Sequence, residues 1–165
     1  MPLNAGDSFP DDVAFTYIPA EEAGDDKTCG VAQNFDASKE FKDKKVVLVS
    51  VPGAFTPTCH VSHLPSYLGN RAALKAKGVD QVVIIAYNDA YVMSGWCKAN
   101  GVKDDYFIFA SDSDAKFSKS IGWTNGERTA RYAIAVDHGK VVYAGLDKGK
   151  GLITHSGADA VLAKL

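Results

Sequence analysis

Val46-Val47-Leu48-Val49-Ser50-Val51 is β-branched and apolar at consecutive positions and stops abruptly at Pro52-Gly53. No alternation leaves one face of this run to water, so it predicts a strand covered on both sides. A strand of that kind belongs in the middle of a sheet layered with helices, which restricts the chain to the α/β class. The remaining pattern agrees. A helix is expected after Pro52-Gly53. Gln81 to Tyr87 reads as a second buried strand, and Asn88 or Asp89 can cap a helix that runs to about Asn100 and stops at Gly101. Tyr106 to Ala110 is a third short strand, followed by a helix from Asp114 to Ile121 closed by Gly122. Arg131 to Asp137 and Lys140 to Ala144 are two more strands with only His138-Gly139 between them, the signature of a tight antiparallel hairpin. A last helix takes Ser156 to Lys164. The order β-α-β-α-β-α-β-β-α implies a mixed central sheet flanked by helices.

With 165 residues, 46% of them apolar, the chain has material for one core, and we expect a single domain over 1–165 that folds without disulfides or metal. Eighteen basic against 20 acidic side chains leave a net charge of −2, which argues against a nucleic-acid binder held by bulk charge. Val82-Val83-Ile84-Ile85-Ala86, among the longest apolar runs, is far too short to span a bilayer. The first residues, Met1 to Asp7, carry neither the basic nor the apolar region of a secretory signal. Three cysteines, Cys29, Cys59 and Cys97, form an odd set without a Cys-x-x-Cys pair, so an intracellular, reducing compartment is expected. Ala163-Lys164-Leu165 is a one-residue variant of the Ser-Lys-Leu peroxisomal signal or simply the end of a helix; peroxisome and cytoplasm both stay open.

Chemistry concentrates in Val51-Pro52-Gly53-Ala54-Phe55-Thr56-Pro57-Thr58-Cys59-His60. Thr56 is a good N-cap and Pro57 suits N1, which puts Cys59 at N3. In a first turn the unpaired backbone N–H groups and the positive end of the dipole favour a thiolate. The other reading of Cys59 is a small buried hydrophobe. His60, adjacent on the helix, makes a poor dyad with it, whereas His63 at i+4 shares its face and either tunes the sulfur or makes a structural hydrogen bond. A metal on Cys59, His60 and His63 lacks a nearby fourth ligand. Of the three arginines, Arg71 reads as a solvated helix face, Arg131 opens a strand, and Arg128 lies in the turn before it. Cys97 sits in an apolar helix and reads as packing. Cys29 follows the charged, glycine-bearing loop of residues 20–30. Phe55 and Trp123 read as core or as a contact between chains.

Pro52, Thr56 and Cys59 form Pro-x-x-x-Thr-x-x-Cys, which resembles the active-site motif of peroxiredoxins. The longer string Pro52 to Cys59 with His63-Leu64-Pro65 is similar to their peroxiredoxin-5 branch, including the fungal alkyl-hydroperoxide-reductase type. Tyr87 to Met93, Phe117 to Gly122 and Arg131-Tyr132-Ala133 extend the likeness along nearly the whole chain. The resemblance implies a thioredoxin-like fold, which the element order fits. It implies a thiol peroxidase for hydrogen peroxide and organic hydroperoxides, recycled by thioredoxin, glutaredoxin or glutathione, built as a homodimer, with no metal, haem or flavin. Cys59 would attack the peroxide, Thr56 would bond it, Arg131 would supply the cation, and Pro52 would shield the oxidised sulfur, with Gly53 and His63 as substrate-binding or tuning positions. That branch often carries a resolving cysteine near the C-terminus, where this chain reads Gly151-Leu152-Ile153-Thr154-His155-Ser156. Cys29 or Cys97 is left, and Cys29 is favoured by its loop and by fungal relatives with a cysteine there. Two other readings stay open: a one-cysteine enzyme, and a redox sensor or chaperone signalling through Cys59 oxidation.

Overall fold

The computed structural model describes residues 1–165. Two strands, β1 (Ala14–Tyr17) and β2 (Gln33–Asp36), and a single-turn helix α1 (Ala37–Glu40) precede the first expected strand. That strand, β3 (Lys45–Ser50), is followed by α2 (Leu64–Leu68), α3 (Arg71–Ala76), β4 (Gln81–Ala86) and α4 (Ala90–Ala99). Then come β5 (Phe107–Ser111), α5 (Lys116–Ser120), the two-residue strands β6 (Thr124–Asn125) and β7 (Arg128–Thr129), β8 (Arg131–Asp137), β9 (Lys140–Asp147) and α6 (Ala158–Leu162).

Seven strands form one sheet in the order β2-β1-β5-β4-β3-β8-β9. β3, β4 and β5 run parallel, while β8 and β1 are antiparallel to their neighbours. The mixed sheet flanked by helices is therefore the one expected, with β3 inside it. Val46, Val47, Leu48 and Val49 are 0 to 1% exposed. Their side chains alternate between the two faces: Val46 and Leu48 pack with Phe15, Phe41 and Ile134, whereas Val47 and Val49 pack with Leu64, Trp96 and Val161. Each such buried side chain stabilises the fold by roughly 1.5–3 kcal/mol relative to exposure.

Three departures from the expected elements matter. The β1–β2 hairpin was not anticipated; β2 is an edge strand whose one buried residue is Phe35, so its pattern carries almost no amphipathic signal. The helix after Pro52-Gly53 is present but interrupted: helical backbone begins at Pro57, widens to a π turn over Cys59–His63, and bends again at Gly69-Asn70. β9 continues three residues past Ala144 to Asp147. The tight hairpin is as expected, with His138 and Gly139 at φ 48° and 83° as a primed two-residue turn requires.

Strand direction fixes where the loops lie. The Pro52–Cys59 segment leaves the carboxyl end of β3. β1 is antiparallel to β5, pairing Thr16 with Ser111 and Tyr17 with Ala110, so the chain after Tyr17 runs toward the opposite end of the sheet. The Ala20 amide there donates to Asp105 Oδ1 at 2.8 Å, just before β5 begins.

Candidate active site

The cysteine segment is held from three sides. The Ala54 amide donates to Asn88 Oδ1 at 2.9 Å, Thr129 Oγ1 donates to the Val51 carbonyl at 2.7 Å, and Ser50 Oγ to the Ala130 carbonyl at 2.8 Å. These bonds set the start of β8 against the end of β3. Gly53 relieves crowding, because a Cβ there would lie 3.1 Å from Thr56 Cγ2 and 3.3 Å from Arg128 Nη1. Phe55 adopts φ 60°, a strained conformation for a bulky residue, and projects outward, 52% exposed, onto the His60 ring.

The first intrahelical bond runs from the His60 amide to the Thr56 carbonyl at 2.8 Å, so Thr56 stands at the N-cap, Pro57 at N1 and Cys59 at N3, as the sequence indicated. The Thr56 side chain does not cap, however. Its Oγ1 donates to the Gly53 carbonyl at 2.7 Å. The amides of Thr58 and Cys59 consequently have no helical carbonyl to bond. Cys59 is fully buried.

Arg131 reaches the sulfur: its Nη2 donates to Cys59 Sγ at 3.3 Å while Nη1 lies 3.0 Å from His63 Nδ1. The other nitrogen of His63, Nε2, is 2.9 Å from the Ser156 carbonyl. A carbonyl only accepts, so Nε2 carries the proton and Nδ1 accepts from Arg131. Burial first, with the Arg131 charge assisting, pulls the His63 pKa down to about 4 and keeps the ring neutral. Tyr67 Oη donates to the same Ser156 carbonyl.

Behind Ser156 stands Asp147, whose side chain is fully buried. It accepts from Ser156 N (2.9 Å), Ser156 Oγ (2.6 Å), Thr154 Oγ1 (2.9 Å) and His155 N (3.0 Å). Burial acts to raise its pKa, but the hydrogen bonds from Ser156, His155 and Thr154 outweigh it, and the carboxyl is held below its usual value. Asp147 lies directly across from Arg131 in the β8–β9 register. A two-residue turn alone would put Leu146 there; the bulge between Ala135 and Val136 shifts the register by one and turns Asp147 to that place. Asp147 and Ser156 are the two site residues that sequence reasoning missed.

The remaining candidates separate cleanly. Arg128 lies over the Tyr87 ring, 5.1 Å from its centroid, and makes no bond to the sulfur. Arg71, expected on a solvated face, instead pairs with Asp104 and stacks on Tyr106, because α3 lies against the start of β5. His60 Nδ1 accepts from Trp96 Nε1 at 2.8 Å, and the ring is turned toward Phe55 and Trp96. Cys97 is 6% exposed, and burial pushes its thiol up to about 12. Cys29 is exposed, in a loop that Lys98 Nζ fastens to α4 through the Asp25 and Thr28 carbonyls. Trp123 belongs to the core, against Tyr132.

This arrangement holds an electron-rich sulfur beside a permanent cation and unpaired amides, which suits nucleophilic attack with charge developing on a leaving oxygen. The redoxin family model matches residues 4–162. The chain is 55% identical over 167 residues to peroxiredoxin Pen c 3 of Penicillium citrinum, covering 100% of both. It is 49% identical over 166 residues to a Lipomyces kononenkoae protein named as a peroxisomal peroxiredoxin, covering 96% of this chain and 99% of that one. The structure matches that of reduced Prx3 of Vibrio vulnificus in complex with hydrogen peroxide at a TM-score of 0.81, with 32% identity and 98% of each chain covered. A thioredoxin-like layer with a cysteine at the head of the first long helix, matched over almost its whole length by such relatives, belongs to the redoxin family and, within it, to the peroxiredoxins, the thiol peroxidases of antioxidant defence.

Proposed function

We propose that Cys59 is the peroxidatic residue of a thiol peroxidase that reduces hydrogen peroxide and organic hydroperoxides. The observation that carries this reading is the 3.3 Å bond from Arg131 to a sulfur at the third position of a helix. Cys59 thiolate attacks the hydrogen-bearing peroxide oxygen; the S–O bond forms, the O–O bond breaks, the peroxide proton stays on the sulfenic acid, and the departing alkoxide or hydroxide takes a proton from water. Arg131 and the Thr58 and Cys59 amides follow the charge from sulfur to leaving oxygen. The Thr56 hydroxyl hydrogen is committed to Gly53, so its oxygen accepts from the peroxide O–H. Pro52 and Gly53 wall the sulfenic acid off from water, and neutral His63 holds one arm of Arg131 so that the other stays on sulfur.

Cys29 then condenses with the Cys59 sulfenic acid, releasing water and forming a disulfide that an external thiol of the thioredoxin, glutaredoxin or glutathione class reduces. This step joins two chains. Within one chain, the cysteines lie beyond opposite ends of the parallel strands. Five residues of strand span roughly 17 Å, while bridged Cα atoms lie about 5.5–6 Å apart. A homodimer brings them together. Phe55 and Val61 on the cysteine segment and Tyr91 and Val92 on α4 leave large apolar side chains exposed, a kind of surface that contact with another chain covers. Peptide mapping without reductant after one equivalent of peroxide tests the assignment: an interchain Cys29–Cys59 peptide supports it, and a stable sulfinic Cys59 with no such peptide removes Cys29. Multiple turnovers with a reductant present separate this enzyme from a sensor or chaperone, which would be oxidised about once per chain.

Import into peroxisomes through Ala163-Lys164-Leu165 is proposed beside a cytosolic pool, on the tripeptide and on the relative named peroxisomal. Ala163 and Lys164 are exposed, whereas Leu165 packs on the core and must peel away to be read. Removing the three residues should leave the protein in the cytosol; equal distribution of both forms would refute the address.

A further inference from the structure

A cleft over Thr56 and Arg131, the side chains that flank the buried Cys59, carries charge that hydrogen peroxide does not need. It is open to solvent on one side and holds about 670 Å³, with Pro52, Thr56 and Arg131 in its lining together with Lys148 and Lys150 on the loop that follows β9. Both lysines are exposed and neither forms an ion pair. The loop that bears them is closed by a turn from the Leu152 amide to the Gly149 carbonyl and is tied at its two ends by the bonds of Asp147 to Thr154, His155 and Ser156. The lysines are therefore carried on an anchored loop beside the reactive centre. Asp147 is the one carboxylate in the lining, and it is buried and saturated with hydrogen bonds. The cleft thus presents three cations and no available anion, on a chain whose net charge is −2.

A volume of this size suits an organic ligand much larger than hydrogen peroxide. Only two of its lining residues, Ala130 and Leu146, are hydrophobic, and they offer few side chains to bury a long hydrocarbon tail. We propose that the cleft selects small organic hydroperoxides that carry a carboxylate, with Lys148 and Lys150 receiving the carboxylate while the peroxide group faces Thr56, Arg131 and Cys59. The inference rests on the peroxidase chemistry assigned to Cys59 and names its substrate class. An exposed ammonium group contributes little to affinity by itself, but like charges focused in a cleft raise the encounter rate of an anion, and salt removes that advantage.

The probes are a hydroperoxy carboxylic acid and its methyl ester, identical at the O–O bond and different in charge. Oxidation of Cys59 by each is followed in a single turnover of the reduced full-length protein, and the ratio of the two rates is read, so that changes common to both cancel. We expect the acid to react at least about fivefold faster at low ionic strength. The ratio should fall to one or below in Lys148→Glu/Lys150→Glu and approach one in about 0.5 M salt. An ester as fast as the acid in the native protein, or an acid preference that survives charge reversal, overturns the inference while leaving the peroxidase reading in place. If the peroxidase reading itself fails, neither probe nor hydrogen peroxide oxidises Cys59.

Discussion

Cys59 and Cys29 stand beyond opposite ends of the same sheet, in surroundings that differ in nearly every respect. Cys59 is fully buried, bonded by Arg131, and backed by His63, Ser156 and Asp147, each of which holds the next. Cys29 is exposed on a loop fastened mainly by backbone turns and by one lysine. The contrast fits the two roles proposed for these sulfurs. A nucleophile that must meet a developing charge gains from donors already in place, since they need not reorganise during the reaction. A resolving thiol must travel to its target, and a thinly bonded loop opens at low cost.

The comparison breaks most sharply at the two sulfurs. Cys59→Ser should abolish peroxide consumption altogether. Cys29→Ser should leave the first oxidation of Cys59 at the native rate by stopped-flow yet lose the disulfide-linked dimer on a non-reducing gel. A Cys29→Ser protein that still forms the dimer, or that oxidises slowly, would mean the two ends are not divided in this way. Arg131→Ala comes next. Removing a donor aimed at developing charge costs on the order of a hundredfold in rate. A loss of less than tenfold in the rate of Cys59 oxidation would shift the role to Arg128.

The smallest effect concerns stability. His63 has a folded pKa of about 4, below the unfolded value near 6.5, so the unfolded chain binds the extra proton between those pH values. The stability that neutral His63 contributes is therefore complete above pH 6.5 and is lost as pH falls toward 4, on the order of 3 kcal/mol over the window. His63→Gln should be less stable at pH 7 but lose less of its denaturation midpoint between pH 6.5 and 4. A variant with the native acid slope would place the titrating group elsewhere.

How far this was legible in the sequence depends on range. The register of Thr56, Pro57 and Cys59 is legible because Pro57 suits N1 and the signal acts over one turn, although the Thr56 hydroxyl bonds Gly53 and does not cap. The buried run at Val46 and the turn at His138-Gly139 were equally local. Arg131 stood out through resemblance, since a guanidinium at a strand end looks the same whether it meets solvent or sulfur. Asp147 and Ser156 were invisible for a definite reason. Their roles depend on a bulge that shifts the β8–β9 register and on a contact between His63 and Ser156 that lies far apart in the chain. The π turn left no mark either, because helix propensity does not distinguish it from an α turn. β1 and β2 escape the sequence because four-residue strands with one buried position each carry too little periodicity to register.

The antiparallel placement of β1 has a meaning in kinetics. It sends the loop of Cys29 away from Cys59 of its own chain and would make the proposed disulfide a matter of molecularity. With Cys29 as the resolving thiol, that step proceeds at a fixed rate in an assembled pair and not at all in a lone chain. Dilution below the dissociation constant of the pair would lengthen the life of the sulfenic acid, and a second peroxide would then carry it to the irreversible sulfinic state. The local concentration of the protein itself would set how much peroxide it survives.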